Sequence, residues 1–326
     1  MTKGPTMLKR SIPLSSLLAA SLAAGACDPA VDDGTTPATG DDFPPESRHI
    51  AVDEWMCEDP ELFGAGSLSS PADEGGLSLS RNGRRAFFHR ADDSGRLRLM
   101  TARLHGDEWG TPDLLPFSGE YNDLDPFLTH DGRWLYFASD RPVDGVEARS
   151  DFDLWRVRRR CGGRWGSPQH LGETVNTDAQ ELYPTLTRDG TLYFNSDRDD
   201  GLGGWDIWLA RRDRRAFTAP VNAGPAINTE AWEFNPSPSA DGRLLFFASM
   251  LRPDHEDPDL YFARRVDGAW TPANNLGDCV NTPAGEFHPS LSADGRQLLF
   301  VRAGEAGGDF YSIDVDELTG DRDAHR

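Results

Sequence analysis

The sequence predicts an all-β fold, a five-bladed β-propeller of four-stranded antiparallel blades closed by a strand from the N-terminal side. Three observations predict it. A turn dipeptide recurs five times, as Asn82-Gly83, Asp131-Gly132, Asp189-Gly190, Asp241-Gly242 and Asp294-Gly295. Each stands between a short segment and an apolar run, the strongest local signal of a β-hairpin. The recurrence is roughly every 50 residues, the length of four short strands in one blade. Helical repeats are excluded because no segment sustains apolar residues at 3.6-residue spacing.

Each repeat then reads in order. The first strands, such as LYPTLTR (182–188), FNPSPSA (234–240) and FHPSLSA (287–293), carry Pro126, Pro184, Pro236 and Pro289. Proline in a sheet belongs on an edge, and the innermost strand of a blade is an edge facing the central channel. The second strands (RRAFFHR, RWLYFASD, TLYFNSD, RLLFFAS, RQLLFVRA) are apolar on both faces, as expected for a blade between two neighbours. Third strands follow as LRLMTAR, FDLWRVRR, WDIWLARR, PDLYFARR and GDFYSIDV. A fourth is expected to begin at an aromatic: Trp109, Trp165, Phe217 and Trp270. The fifth copy has no such aromatic after it, while Phe63-Gly64 near the start resembles Trp109-Gly110 and Trp165-Gly166. The N-terminal side is therefore expected to supply the outer strand of the last blade. The propeller is placed at 51–316, with a short tail at 317–326.

Residues 1–26 read as a targeting segment: Lys3, Lys9 and Arg10, then a short apolar stretch from Ile12 to Ala23, then small residues. The stretch is shorter than the roughly 20 apolar residues a membrane span needs. Leu22-Ala23-Ala24-Gly25-Ala26-Cys27 resembles the bacterial lipobox, which implies lipidation of Cys27. Ordinary signal peptidase would cut the same bond and leave a secreted chain with a free Cys27. Residues 27–50 are mostly Asp, Pro, Thr and Gly, a composition that reads as a disordered tether. Acidic residues number 54 against 33 Lys plus Arg, for a net charge of −21. Such a surface repels phosphate backbones and excludes nucleic acid as a partner. Cys57, Cys161 and Cys279 allow at most one internal disulfide, and none of their spacings is that of a CxxC metal or redox pair.

The frame Glu-x-x-Pro, Asp-Gly-Arg, Leu-Tyr-Phe-x-Ser-Asp-Arg, Gly-Gly-x-Asp-Ile-Trp resembles the TolB-like (WD-repeat-like) propeller repeats of bacterial envelope proteins. The copy from Glu181 to Arg211 is nearest, and the copy from Asp123 to Arg158 keeps Ser139-Asp140-Arg141 and Asp153-Leu154-Trp155. The first, fourth and fifth copies lack Ser-Asp-Arg. The resemblance implies binding of protein or cell-wall polymer without chemistry, and no cofactor.

One acid occupies an equivalent position in every repeat: Glu74, Asp123, Glu181, Glu233 and Glu286. At the entrance of the inner strand they are expected to ring one mouth of the channel, where they could hold a cation, an amine or a basic peptide. The competing reading has each acid capping backbone N–H groups or pairing with an Arg of its own blade. Two residues on stand Gly76, Asp125, Tyr183, Asn235 and His288, a channel-facing column that differs between blades as a specific ligand would require. Of the eight histidines only His288 has an inward position. The Asp-rich loops at 140–153, 197–206 and 254–259 lack EF-hand spacing and read as hydrogen-bonding frame. No metal site is expected. Trp155, Trp208, Tyr261 and Tyr311 read as blade packing. No motif for a nucleophile, zinc protease or nucleotide site is present. The resulting expectation is a monomeric, lipid-anchored, non-catalytic binding module of the bacterial envelope with a protein, peptide or polymer ligand. The alternative is a propeller glycoside hydrolase or lyase using Asp123, Asp125, Glu181 or Glu233.

Overall fold

The computed structural model describes residues 59–143, 150–214, 216–252, 256–304 and 307–319. The leader, the tether and Cys27 lie outside them, as does Cys57.

Five antiparallel blades form the propeller predicted from the repeats. Blade 1 runs from the channel outward through Glu74–Leu79, Arg85–Ala91, Leu97–His105 and Asp113–Leu114. Blade 2 comprises Asp123–Leu128, Trp134–Ser139, Asp153–Arg158 and Gln169–His170. Blade 3 is Glu181–Leu186, Leu192–Ser196, Asp206–Ala210 and Val221–Asn222. Blade 4 is Trp232–Pro238, Leu244–Met250, Asp259–Val266 and Asn274–Asn275. Blade 5 takes Glu286–Leu291, Gln297–Gly304 and Gly307–Asp314 from the end of the chain, and its outer strand is Glu61–Leu62.

The core lies between blades and is supplied chiefly by the second strands. Phe87, Phe88, Tyr136, Phe137, Tyr193, Phe194, Phe246, Phe247 and Phe300 are all fully buried. Neighbours in this run point to opposite faces, so each strand feeds two interfaces. Phe88 meets Phe310 across the blade 1–blade 5 interface with ring centroids 6.0 Å apart, and Phe87 meets Trp165 of blade 2 at 6.0 Å. Burying such a side chain is worth about 1.5–3 kcal/mol, and this repeats around the ring.

The structure corrects the register of the outer strands. Trp109 and Trp270 do not begin them: each sits in a hairpin at the end of its third strand, pairing with Leu104 and Arg265. The third strand is longer than the blade is wide, so its overhang folds back on itself first. The chain then steps inward to pair again, as at Asp113↔Thr101 and Asn274↔Phe262. Closure by the N-terminal side holds, with Glu61↔Ser312 and Leu62↔Tyr311. Phe63-Gly64, however, is equivalent to Leu171-Gly172, Ala223-Gly224 and Leu276-Gly277, not to Trp109-Gly110. The amides of Phe63, Leu171, Ala223 and Leu276 all donate back to their blade's third strand at 2.7–3.1 Å. The four glycines that follow share a left-handed φ between 67° and 87° that a side chain would strain.

Residues 315–319 form one helical turn, and Arg264 Nη2 donates to the Thr319 carbonyl at 2.6 Å, docking it on blade 4.

Candidate functional site

Each acid of the repeated column is buried and tied to its own blade. Arg90 Nε donates to Glu74 Oε1 at 2.6 Å and Arg302 Nε to Glu286 Oε1 at 2.7 Å. Arg141, Arg198 and Arg252 reach Asp123, Glu181 and Glu233 at 2.5, 2.9 and 3.1 Å. The Ser-Asp-Arg element is thus replaced rather than lost in three copies. In blades 1 and 5 the Arg occupies the Ser position opposite the acid, and in blade 4 it comes three residues after Ser249. The guanidiniums also stack on aromatics, Arg198 lying 4.9 Å from the Trp208 ring, Arg252 4.2 Å from Tyr261 and Arg302 4.6 Å from Tyr311. These aromatics pack the blades, as the sequence suggested for them.

A second partner had a sequence signal that was missed. Four residues before the acid stands Thr177, Thr229 or Thr282, whose amide and hydroxyl both donate to the carboxylate at 2.6–3.0 Å. Ser70 makes the same two bonds to Glu74. Each Thr follows an Asn (Asn176, Asn228, Asn281) that grips both amide groups of one third-strand residue, as Asn228 does with Ile207 at 2.9 Å each way. The recurring Asn-Thr-x-x-x-Glu was visible in three repeats. Even with these partners, burial dominates: it raises the Glu74 carboxyl to about 7, against the pull of Ser70 and Arg90. Asp123, Glu181, Glu233 and Glu286 shift upward for the same reason.

The Asp residues of the outer loops are also frame. Asp206 accepts from the amides of Leu202 and Gly203 and from Asn222 at 2.9 Å, and Asp259 accepts from Asn275 at 2.8 Å.

The second column, by contrast, meets in the channel. Gly76, Asp125, Tyr183, Asn235 and His288 all adopt a left-handed φ of 51–62°, each at a register shift in its inner strand. Four non-glycine residues in this region, costing of order 1–3 kcal/mol each, indicate a constraint beyond strand pairing. Their amides form a relay around the ring. Gly76 N–H donates to His288 Nδ1 (3.3 Å), Asp125 N–H to His89 Nδ1 (3.2 Å), and the Tyr183 amide to the Asp125 carboxylate. Asn235 N–H donates to Asn195 Oδ1 (3.0 Å) and His288 N–H to Asn235 Oδ1 (3.2 Å). Every blade thereby has its strained amide held by the blade before it.

Tyr183 closes the middle of the channel. Its ring stacks on His288 at 5.3 Å and 7°, and its hydroxyl donates to the Pro289 carbonyl at 2.7 Å. His89 was missed as an inward residue. It and Asn195 occupy the second-strand column whose other members are Ala138, Ala248 and Val301, so a polar residue there was the available signal. Burial pushes His89 down to about 3 and Asp125 up to about 7. His288 falls well below the usual range through burial, with His89 beside it adding to the shift.

Beyond this plug, at the C-terminal ends of the inner strands, the channel opens into a cavity of about 590 Å³. Ser78, Thr185, Ser237 and Ser290 line its wall, and Arg81, Arg188 and Arg243 stand at its rim. This is the end opposite the acids, which begin the same strands.

The fold and site define a five-bladed β-propeller with a plugged channel and one basic mouth. No protein-family model matches the chain, and no curated protein does. Solved structures do. The chain is similar to an α-L-arabinofuranosidase from Lactobacillus brevis, with a TM-score of 0.54, 12% identity and coverage of 77% of this chain and 93% of that one. It is similar to a thermostable family-43 glycoside hydrolase (TM-score 0.50, 12% identity, 76% and 91% covered). A putative TolB from Agrobacterium tumefaciens aligns at a TM-score of 0.49 with 16% identity, covering 76% and 79%. At such identities the likeness is one of fold.

Proposed function

We propose that this chain is a non-catalytic binding propeller of the bacterial envelope, exported and lipid-anchored through Cys27. It takes an acidic segment of a protein or peptide at the basic mouth of its channel. The observation that carries this reading is the commitment of the repeated carboxylates. A glycosidase needs two carboxyl groups flanking a bond with room for sugar between them. Asp123, Glu181 and Glu233 are instead completely buried, each bonded to an Arg of its own blade. The mouth also differs in sign from the rest of the molecule: five arginines line its cavity against three aspartates, on a chain of net charge −21. Carboxylates of a ligand find bidentate guanidinium donors there, and electrostatic steering focuses on that opening. The test measures binding of labelled acidic and basic peptides to the full chain and to its Arg81→Glu/Arg188→Glu variant. The acidic peptide should bind preferentially, more weakly at higher salt and not to the variant. Preference for the basic peptide, or indifference to the charge reversal, would overturn the reading.

A further inference from the structure

The plug contains three metal-ligating side chains from three blades. Asp125 Oδ1 lies 3.6 Å from His89 Nδ1 and 3.5 Å from His288 Nε2. The three donor atoms all fall within 4.8 Å of one another. Asp125 Oδ1 is buried and has no hydrogen-bond partner among the described residues. Separations of 3.5–3.6 Å are too long for N–H···O bonds, which run about 2.7–3.2 Å. They fit another geometry. Ligands held tetrahedrally at roughly 2.0–2.1 Å from one ion stand about 3.3 Å apart, close to the two separations from Asp125 Oδ1, and an ion there also draws together the two imidazoles, whose donor atoms lie within 4.8 Å.

We propose that His89, Asp125 and His288 form a binding site for one first-row divalent metal ion of the zinc class, at the centre of the channel. Two imidazoles and a carboxylate are borderline donors that suit zinc or cobalt, whereas calcium and magnesium call for more oxygens. The surroundings are arranged for it. A Cβ at Gly75 would sit 2.4 Å from His288 Nδ1 and 2.7 Å from His89 Cε1, so glycine alone leaves the two rings room. Tyr183 fixes the plane of His288 by stacking, and such outer contacts orient metal-bound imidazoles. The proton balance follows from the bonds already present. His89 coordinates through Nδ1 in place of its 3.2 Å contact with the Asp125 amide and keeps its proton on Nε2. His288 coordinates through Nε2, its ring proton moves to Nδ1, and the 3.3 Å contact from Gly76 N–H opens. Asp125 binds as the carboxylate and releases any proton it holds. The ion joins blades 1, 2 and 5, spanning the seam where the two ends of the ring meet.

The test titrates cobalt(II) into the full chain after chelation. One equivalent should bind, giving the intense visible bands of a four-coordinate nitrogen–oxygen site, and the melting temperature should rise with zinc. Asp125→Asn, His89→Gln and His288→Gln should each weaken cobalt binding roughly tenfold or more, the scale seen for losses around metal sites. Wild-type protein that binds no stoichiometric cobalt, or variants that bind as tightly as wild type, would overturn the proposal. Should a variant fail to fold, the wild-type spectrum decides. Nitrogen–oxygen bands without sulfur charge transfer support the site, and a thiolate-to-cobalt band refers the ion to a cysteine and sinks it.

Discussion

A buried carboxylate next to its arginine is stable only as a pair, and five such pairs hold this molecule. Removing one partner leaves an unpaired charge in a dry interior, at a cost of about 3–5 kcal/mol. Arg198→Met should therefore lower the unfolding free energy by about that much in urea titrations. The double change Glu181→Leu/Arg198→Met should recover a good part of it, because neither charge is then left alone. Titration gives a second reading. Glu74 has a folded value of about 7, above its unfolded value, so its ionised form costs stability above pH 7. That cost is relieved as pH falls through 7 and is gone below the unfolded value. Between pH 8 and pH 5.5 wild type should gain more stability than Glu74→Gln, and the contribution of the histidines cancels in the comparison. Equal pH profiles would mean that Glu74 titrates normally. The acid column was legible because it falls at one point of each repeat. Its partners were not, because the Arg arrives from three offsets, as Arg90, Arg141 and Arg252 illustrate. A guanidinium sits on each of the five carboxylates, the arrangement of the competing reading.

At the level of the strand, the seam between blade 5 and blade 1 decides whether the ring closes. Glu61–Leu62 pair with blade 5, Leu68 is fully buried beneath blade 1, and Ser69 Oγ accepts from the Phe310 amide at 2.9 Å. Deleting residues 28–50 should leave the melting temperature nearly unchanged, since the deletion stops short of these contacts. Deletion to residue 70 removes the outer strand, Leu68 and the Ser70 bonds to Glu74, and should unfold or oligomerise the domain. An equally stable monomer would rule out strand donation. The donated strand was legible from a count of missing elements. Its register was not: Phe63-Gly64 looks like an aromatic strand start, but the hydrogen bond of the Phe63 amide to Phe310 places it with Leu171-Gly172. Local sequence gives the aromatic, and only the ladder tells which side of the strand it ends. The same limit hid His89, which lies in an apolar run and becomes a channel residue only because blade 1 puts Gly75 and Gly76 opposite it.

The whole molecule divides its charges by role. Acids and arginines of the repeat close each blade, the centre is filled by Tyr183, His89, Asp125 and His288, and the arginine-rimmed cavity lies at the far end. Among the described residues no helix is long and apolar enough to cross a membrane. Fold was readable from the repeat alone because a propeller is a sum of similar units. The mouth was not, since its arginines come from different blades and stand on either side of the turn dipeptide, Arg81 and Arg188 before it and Arg243 after it, so that only the closed ring brings them together. The central claim is that the carboxylates serve the fold and do no chemistry. The most direct measurement is release of reducing ends from a panel of polysaccharides by the purified full chain over a long incubation. The account predicts no release above the protein-free blank. Turnover that disappears in Asp123→Asn, with the variant still folded by circular dichroism, would contradict it.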